Sequence, residues 1–263
     1  MTRKAPRTPV PAPAAAPVRI GTAGWSIPAA LADAMPGEGT HLERYARRMN
    51  CVEINSSFYR PHRMPTYARW ADSTPDDFRF AVKVPKRITH ESRLEGFDEL
   101  LAAFVDEADG LGGKWAVALV QLPPSLALDD KVAGRFFERL GEAYGGAIVC
   151  EPRHLSWFTP QADELLERCE VSRAAADPAK WPHAGEPGGW TGSAKARRPA
   201  VLYHRWHGSP RVYWSAYDTD WLRERAQELS QRPAPADRWC IFDNTASGAA
   251  LPNALQLQTL TSP

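Results

Sequence analysis

The sequence predicts an α/β fold, a TIM-type (β/α)8 barrel whose sixth helix is replaced by a long Pro/Gly/Trp-rich loop. Three observations carry that expectation. Eight short apolar runs recur along the chain, nearly every one followed by a stretch with helical spacing, so the strands should lie parallel and be joined by crossover helices. A count of eight favours closure over an open doubly wound sheet. The phosphate-binding fingerprints of open nucleotide-binding sheets, GxGxxG and GxxxxGKS/T, are absent.

Taken in order, residues 1–17 (MTRKAPRTPVPAPAAAP) hold five prolines and no apolar signal-peptide core. They read as a disordered, extended tail ahead of one domain over 18–263. The first run, VRIGTA (18–23), leads to a helix near 40–49, and CVEIN (51–55) to one near 65–72 that Pro75 stops. FRFAVK (78–83) leads through a loop to a helix near 97–111. WAVALVQL (115–122) ends at Pro123 and Pro124, after which apolar residues recur at helical spacing over 129–144. AIVCE (147–151) precedes a helix over 160–169, with Thr159 as N-cap and proline in the first turn. VSRAAAD (171–177) is the sixth run. The stretch 178–199 behind it holds four Pro, four Gly and two Trp, a composition that packs no helix. VLYHRW (201–206) leads to a helix over 218–231, and RWCIFD (238–243) to one over 248–260.

The chain has 263 residues, 43 % hydrophobic and 24 % charged, with a formal net charge of +1, so its bulk electrostatics favours neither a membrane nor nucleic acid as partner. No basic run of the length that marks nucleic-acid binding occurs either. Cys51, Cys150, Cys169 and Cys240 lie far apart without a CxxC pair and read as buried reduced thiols, compatible with a reducing cytoplasm. No apolar stretch approaches the roughly 20 residues of a membrane span. Oligomeric state is not legible.

Catalytic groups of barrel enzymes gather at the C-terminal ends of the strands, which turns position into a set of residues. Those ends offer Trp25, Glu53 and Asn55, Lys83, Gln121, Glu151 with Arg153 and His154, Asp177, Arg205 with His207, and Asp243 with Asn244. Strand parity sorts them further. Cys51, Glu53 and Asn55 share one face while Val52 and Ile54 share the other; Tyr203, Arg205 and His207 share a face that His204 and Trp206 do not. Basic Arg60, Arg63, Lys83, Lys86, Arg87, Arg153 and Arg205 outnumber acidic Glu53, Glu151, Asp177 and Asp243 around these ends, which favours a small anionic ligand, phosphate or carboxylate. An ion-pair lattice is the competing reading of the same residues. Trp181 or Trp190, in the loop after the sixth strand, can serve as a lid.

Three chemistries fit. Glu151 or Glu53 acts as general acid or base, with His207 as a further catalytic group and Lys83, Arg153 and Arg205 holding the anion. Alternatively Glu151, Asp177, His207 and Asp243 bind a divalent metal, as in a phosphoesterase or sugar isomerase-like barrel, although no local ligand spacing marks such a site and no cofactor is otherwise expected. Last, Glu53 and Glu151 form a glycosidase pair at an inverting separation, with Trp25, Trp157 and Trp206 as sugar platforms. A non-enzymatic ligand-binding module is the remaining alternative.

GTAGW (21–25), EINSSFYRP (53–61), TPDDFRFAVKVPKRITH (74–90), ALVQLPP (118–124), EPRHLSW (151–157), YHRWHG (203–208) and FDNTASGAALPNA (242–254) together resemble the YecE-like family, domain of unknown function 72. The resemblance is collinear over nearly the whole chain after the tail. It implies a TIM-type barrel found in bacteria and archaea, without an established activity. The family's motif positions fall here on Trp25, Glu53, Asn55, Phe58, Tyr59, Lys83, His90, Gln121, Glu151, Arg153, His154, Trp157, Arg205, His207, Gly208 and Asn244. The chain departs from the family pattern at Ser26 and Ile27, at Trp206, and at Asp243, where Asn is common.

Overall fold

The computed structural model describes residues 18–193, 195–231 and 237–261; the expected tail, 1–17, lies outside the described residues. Seven of the eight apolar runs form single strands, numbered in chain order: β1 (Val18–Thr22), β2 (Cys51–Ile54), β3 (Arg79–Lys83), β4 (Trp115–Gln121), β5 (Ala147–Glu151), β9 (Val201–Trp206) and β10 (Asp237–Phe242). The sixth run is split into β6 (Val171–Arg173) and β7 (Ala175–Asp177). Ala174 between them donates its N–H to the Cys150 carbonyl at 2.8 Å.

The fold is α/β with parallel sheets. One sheet has the order β1-β10-β9-β7 and the other β2-β3-β4-β5-β6-β8, where β8 is Gly188–Gly189. Every pair is parallel except β6 with β8. At the β1–β2 junction Ala23 bridges Glu53, and Gly24 donates to the Glu53 carbonyl at 2.8 Å. The Tyr45 hydroxyl stitches the same junction, accepting from Thr22 N at 2.9 Å and donating to the Cys51 carbonyl at 3.1 Å. A Cβ on Gly21 would stand 2.3 Å from the Cys51 carbonyl oxygen, so only glycine allows this approach.

Between the strands run α1 (His41–Ala46), α2 (Ser56–Tyr59), α3 (Met64–Asp72), α4 (Asp98–Ala108), α5 (Asp130–Ala143), α6 (Pro160–Arg168), α7 (Thr219–Gln231) and α8 (Ala250–Thr261). Their starts follow side-chain chemistry. Asp129 accepts from Lys131 N and Val132 N to open α5, Thr159 accepts from Ala162 N to open α6, and Thr40 and Glu43 form a reciprocal capping box on α1. The helix expected over 97–111 ends earlier, giving way to a 3-10 segment, Asp109–Lys114, with a kink at Gly112. Among the described residues between Asp177 and Val201, β8 is the one regular element.

Two apolar clusters hold the sheets. The larger joins Val52, Ile54, Val82, Val120, Cys150, Trp206 and Phe242 to the helices. The smaller takes the alternate positions, Cys51, Ala81, Val117, Leu119, Ala147, Val149, Tyr203, Trp239 and Ile241. Sheets buried on both faces explain why these runs read as continuously apolar. All four cysteines are free and buried. No described helix is long and apolar enough to cross a membrane.

Candidate functional site

The face carrying the smaller cluster turns polar at the C-terminal strand ends. Continuing each alternation by two residues runs from Cys51 to Glu53, Ala81 to Lys83, Leu119 to Gln121, Val149 to Glu151, Tyr203 to Arg205 and Ile241 to Asp243; all six end residues are buried. In-register pairs fix their neighbourhood: Gln121 opposes Glu151 and Ile241 opposes Arg205.

Arg205 is the hub and has no exposed surface. Its guanidinium donates from Nε to Glu53 Oε2 at 3.0 Å, from Nη2 to Glu53 Oε1 at 2.7 Å and to Asp243 Oδ2 at 2.9 Å, and from Nη1 to Glu151 Oε2. Glu53 Oε2 also accepts from the Tyr203 hydroxyl at 3.0 Å. Glu151 Oε1 accepts from Arg153 at 3.0 Å from Nε and 2.9 Å from Nη2. Burial alone would raise the Glu151 carboxyl, but Arg205 and Arg153 outweigh it and hold the group well below the usual carboxylate range. Burial is likewise outweighed at Asp243, which Arg205 and His207 push down.

His207 lies between two of these carboxylates. Its Nδ1 is 3.0 Å from Asp243 Oδ2, and its Nε2 is 3.3 Å from Glu151 Oε1 outside hydrogen-bonding geometry, leaving Nε2 buried and unpartnered among the described residues. Burial favours the neutral ring, yet Glu151 and Asp243 raise its pKa above the ordinary histidine value. Tyr213 packs edge-on against it at 5.3 Å and donates its backbone N–H to the His207 carbonyl at 2.5 Å. Tyr213 holds φ +66°, a left-handed conformation that a bulky side chain adopts only when its surroundings impose it.

On the β3–β4 side, Lys83 Nζ stands 4.2 Å over the Phe58 ring with no hydrogen-bond partner among the described residues. Burial and then Arg205 push its pKa down to about 8. His90, in a π-helical turn (Arg87–Glu91), meets the same Phe58 ring edge-on at 5.0 Å, with Gln121 Nε2 at 3.4 Å from its Nε2. Burial and then Lys83 and Arg153 push His90 down to about 4, so its ring is neutral at pH 7.

A cavity of about 370 Å³ opens beside this cluster, lined by Glu151, Arg153, His207, Tyr213, Lys180 and Trp181 among others, with Phe158, Val212 and several prolines and alanines completing the wall. Trp181 donates to the Arg153 carbonyl at 3.3 Å. A larger cavity, about 670 Å³, lies by the opposite strand ends, against Trp115, Ala147, Val201 and Trp239. Its charged residues are already engaged, Arg198 by the Tyr144 and Cys169 carbonyls and Asp237 by Arg19, so chemistry rather than volume selects the first cavity.

The cluster thus gathers Glu53, Lys83, Gln121, Glu151, Arg153, Arg205, His207 and Asp243, with His90 alongside. Other expected site residues are placed elsewhere. Trp157 is 1 % exposed in the main core and donates to the Leu126 carbonyl. The His154 ring accepts from Ser156 N and caps a 3-10 turn, Leu155–Trp157. Trp25 packs edge-on against Trp70, and Tyr59 is 76 % exposed. Asp177 pairs in register with outward-facing Trp206 and accepts from the Tyr217 hydroxyl at 2.7 Å, so it does not join Glu151, His207 and Asp243 as a ligand set. Among the described residues no group of three or more His, Cys, Asp or Glu is arranged to hold a metal ion. The room a glycosidase would need between Glu53 and Glu151 is filled by the guanidinium that both accept from. Asn55 and Asn244 lie beyond the last strand residues, where alternation no longer applies; each keeps a buried, unpartnered Oδ1. Tyr213 was not legible in the sequence, because its position depends on the turn that brings residue 213 back onto 207. Trp190 donates its backbone N–H to the Val171 carbonyl at the start of β6, away from the mouth, which leaves Trp181 as the tryptophan at the cavity.

Comparison with known proteins agrees with this architecture. Residues 19–263 match the family model described as protein of unknown function DUF72. The chain is 29 % identical to the UPF0759 protein YecE of Escherichia coli K12 over 71 % of this chain and 69 % of that protein. It is 25 % identical to the UPF0759 protein YunF of Bacillus subtilis over 92 % and 94 %. Crystal structures of DUF72 family proteins are similar in fold. One from Enterococcus faecalis has TM-score 0.73 at 21 % identity, covering 93 % of this chain and 95 % of that one. One from Thermotoga maritima has TM-score 0.71 at 23 % identity, covering 92 % and 98 %. The chain belongs to the DUF72 family.

Proposed function

We propose that this member of a family of unknown function is a cytoplasmic enzyme, hydrolase-like or lyase-like, that binds a small anion, phosphate or carboxylate, at the mouth of a closed eight-stranded barrel. Closure is supported by the Ala23–Glu53 bridge at one junction of the two sheets and by the run 171–177, which pairs with β5 on one side and β9 on the other. The observation that carries the ligand is the charge pattern at the cavity. Both oxygens of Glu53 and of Glu151 are already taken by Arg205, Tyr203 and Arg153, so an acid entering the cavity meets cations and few competing acceptors.

Arg153 has 26 % of its side chain exposed and keeps donors beyond those spent on Glu151, which suits it to a phosphate or carboxylate. His207, oriented by Asp243 at Nδ1 with Nε2 uncommitted, is the proton-transfer group. Glu151 and Glu53 then act as fixed counter-charges to Arg205, since a carboxylate held as far down as Glu151 is a poor proton acceptor and no donor. Titration calorimetry with inorganic phosphate tests the reading. Wild type should bind, and Arg153→Met should weaken binding by about 10- to 100-fold, the loss of one or two charge-assisted hydrogen bonds. Equal affinity in the two proteins would refute the assignment. Phosphate binding with no turnover across a broad panel of phosphate esters and carboxylates would favour a non-enzymatic module.

A further inference from the structure

We propose that Lys83 is an amine nucleophile that forms an imine with a carbonyl-bearing anion, an oxo acid or a phosphorylated aldehyde; this rests on the anion-binding reading above and names its substrate class. A lysine placed to neutralise buried acids should donate hydrogen bonds to them. Lys83 donates none among the described residues: Glu53 is held by Arg205 and Tyr203, Glu151 by Arg205 and Arg153, and Asp243 by Arg205 and His207. Arg205, Arg153 and the His207 ring already face those three carboxylates, so the cluster does not depend on a proton on Lys83.

Lys83 is 5 % exposed as a residue; its amine lies over the Phe58 ring, and the side chain points from the end of β3 to the same side as Arg205. The groups acting on it are Arg205, Glu53, Glu151 and Asp243, with neutral His90 beside it. Burial with a neighbouring guanidinium is a recognised way of keeping a lysine unprotonated and reactive near neutral pH.

The step balances within the two reactants. The Nζ lone pair attacks the carbonyl carbon, the C–N bond forms as the C=O π bond breaks, and both amine hydrogens leave with the oxygen as water. The resulting imine, once protonated, withdraws electrons from the adjacent carbon, which is the activation a lyase-like reaction requires.

The test incubates the full chain separately with glyoxylate, pyruvate and glyceraldehyde 3-phosphate in the presence of cyanoborohydride, then maps adducts by peptide mass spectrometry. Lys83 should be modified at least about tenfold faster than exposed Lys86 and Lys131, given its depressed pKa, and inorganic phosphate should protect it. Lys83→Arg should abolish that adduct alone. Labelling spread evenly over surface lysines, or absent from Lys83 with all three probes, overturns the proposal. If phosphate binding by calorimetry survives that outcome, the anion reading stands by itself; if wild type binds no phosphate, both fall. Should Lys83→Arg fail to fold, the wild-type labelling ratio still decides.

Discussion

Replacing Arg205 by methionine keeps the stem and deletes the guanidinium on which three carboxylates converge. The guanidinium makes two hydrogen bonds to Glu53 and one each to Glu151 and Asp243, all in a region with almost no solvent. Stripping the partner from a buried ion pair costs about 3–5 kcal/mol, and here the acids are three. The cost does not triple. Lys83, Arg153 and His207 remain nearby, and a carboxylate that loses its cation takes up a proton instead. The pH dependence follows from that uptake. In the wild type Glu151 and Asp243 have depressed pKa values, so their stabilisation is present above the unfolded value of about 4 and is lost as pH falls through the folded values. In Arg205→Met they are expected to rise above the unfolded value, so the variant loses stability as pH climbs from about 4 to the new folded values. The gap between the proteins should be roughly 3–5 kcal/mol at pH 7 and narrow by at least about 1.4 kcal/mol at pH 5, one pKa unit of relief at one acid. Urea unfolding followed by circular dichroism at the two pH values measures it. A gap below about 1 kcal/mol at pH 7, or one that does not change with pH, would refute the view of Arg205 as the cation that holds this cluster together.

His207 works in the opposite sense: its raised pKa contributes stability that is full below about 6.5 and disappears as pH rises through the folded value, so unfolding free energy should decline as pH climbs above about 6.5 and His207→Gln should flatten that decline. Trp157→Ala should cost about 3–5 kcal/mol through the cavity it leaves, yet leave phosphate affinity per folded molecule unchanged; a selective loss of affinity would return Trp157 to the site. Gly208→Ala places a Cβ 2.5 Å from the Ser215 carbonyl oxygen at φ +92°, so the turn carrying Tyr213 must shift; stability should fall by roughly 1–3 kcal/mol, and intrinsic fluorescence or crystallography should report a displaced Tyr213.

The strand ends were legible because period-two alternation is a local property. Once Val52 and Ile54 are assigned to the helix-packed side, Glu53 must face the other way, and the same reasoning sends Arg205 inward and Trp206 outward, as found. The alternation carries His207 and Asp243, one residue past their strands, into the cluster, but it does not reach much further. Asn55, His154 and Asn244 stand in turns, whose directions depend on local dihedrals that apolar patterning does not encode. Trp157 misled for a related reason. It follows a strand end closely in sequence, but a 3-10 turn carries its ring back into the core.

By itself, the sequence determined the α/β class through the order of its apolar runs, the side each strand-end acid and base faces through their alternation, and the family through its collinear motifs. Tertiary structure alone decided how those charges are shared: that one guanidinium bonds three carboxylates, that His207 is wedged between two of them, that Tyr213 closes over it, and that Lys83 lies over Phe58 with no hydrogen-bond partner among the described residues. Spacing along a chain tells which side of a strand a residue occupies, whereas pairing is a matter of ångströms between residues some 150 positions apart, and burial makes each such ångström count by removing the water that would otherwise screen it.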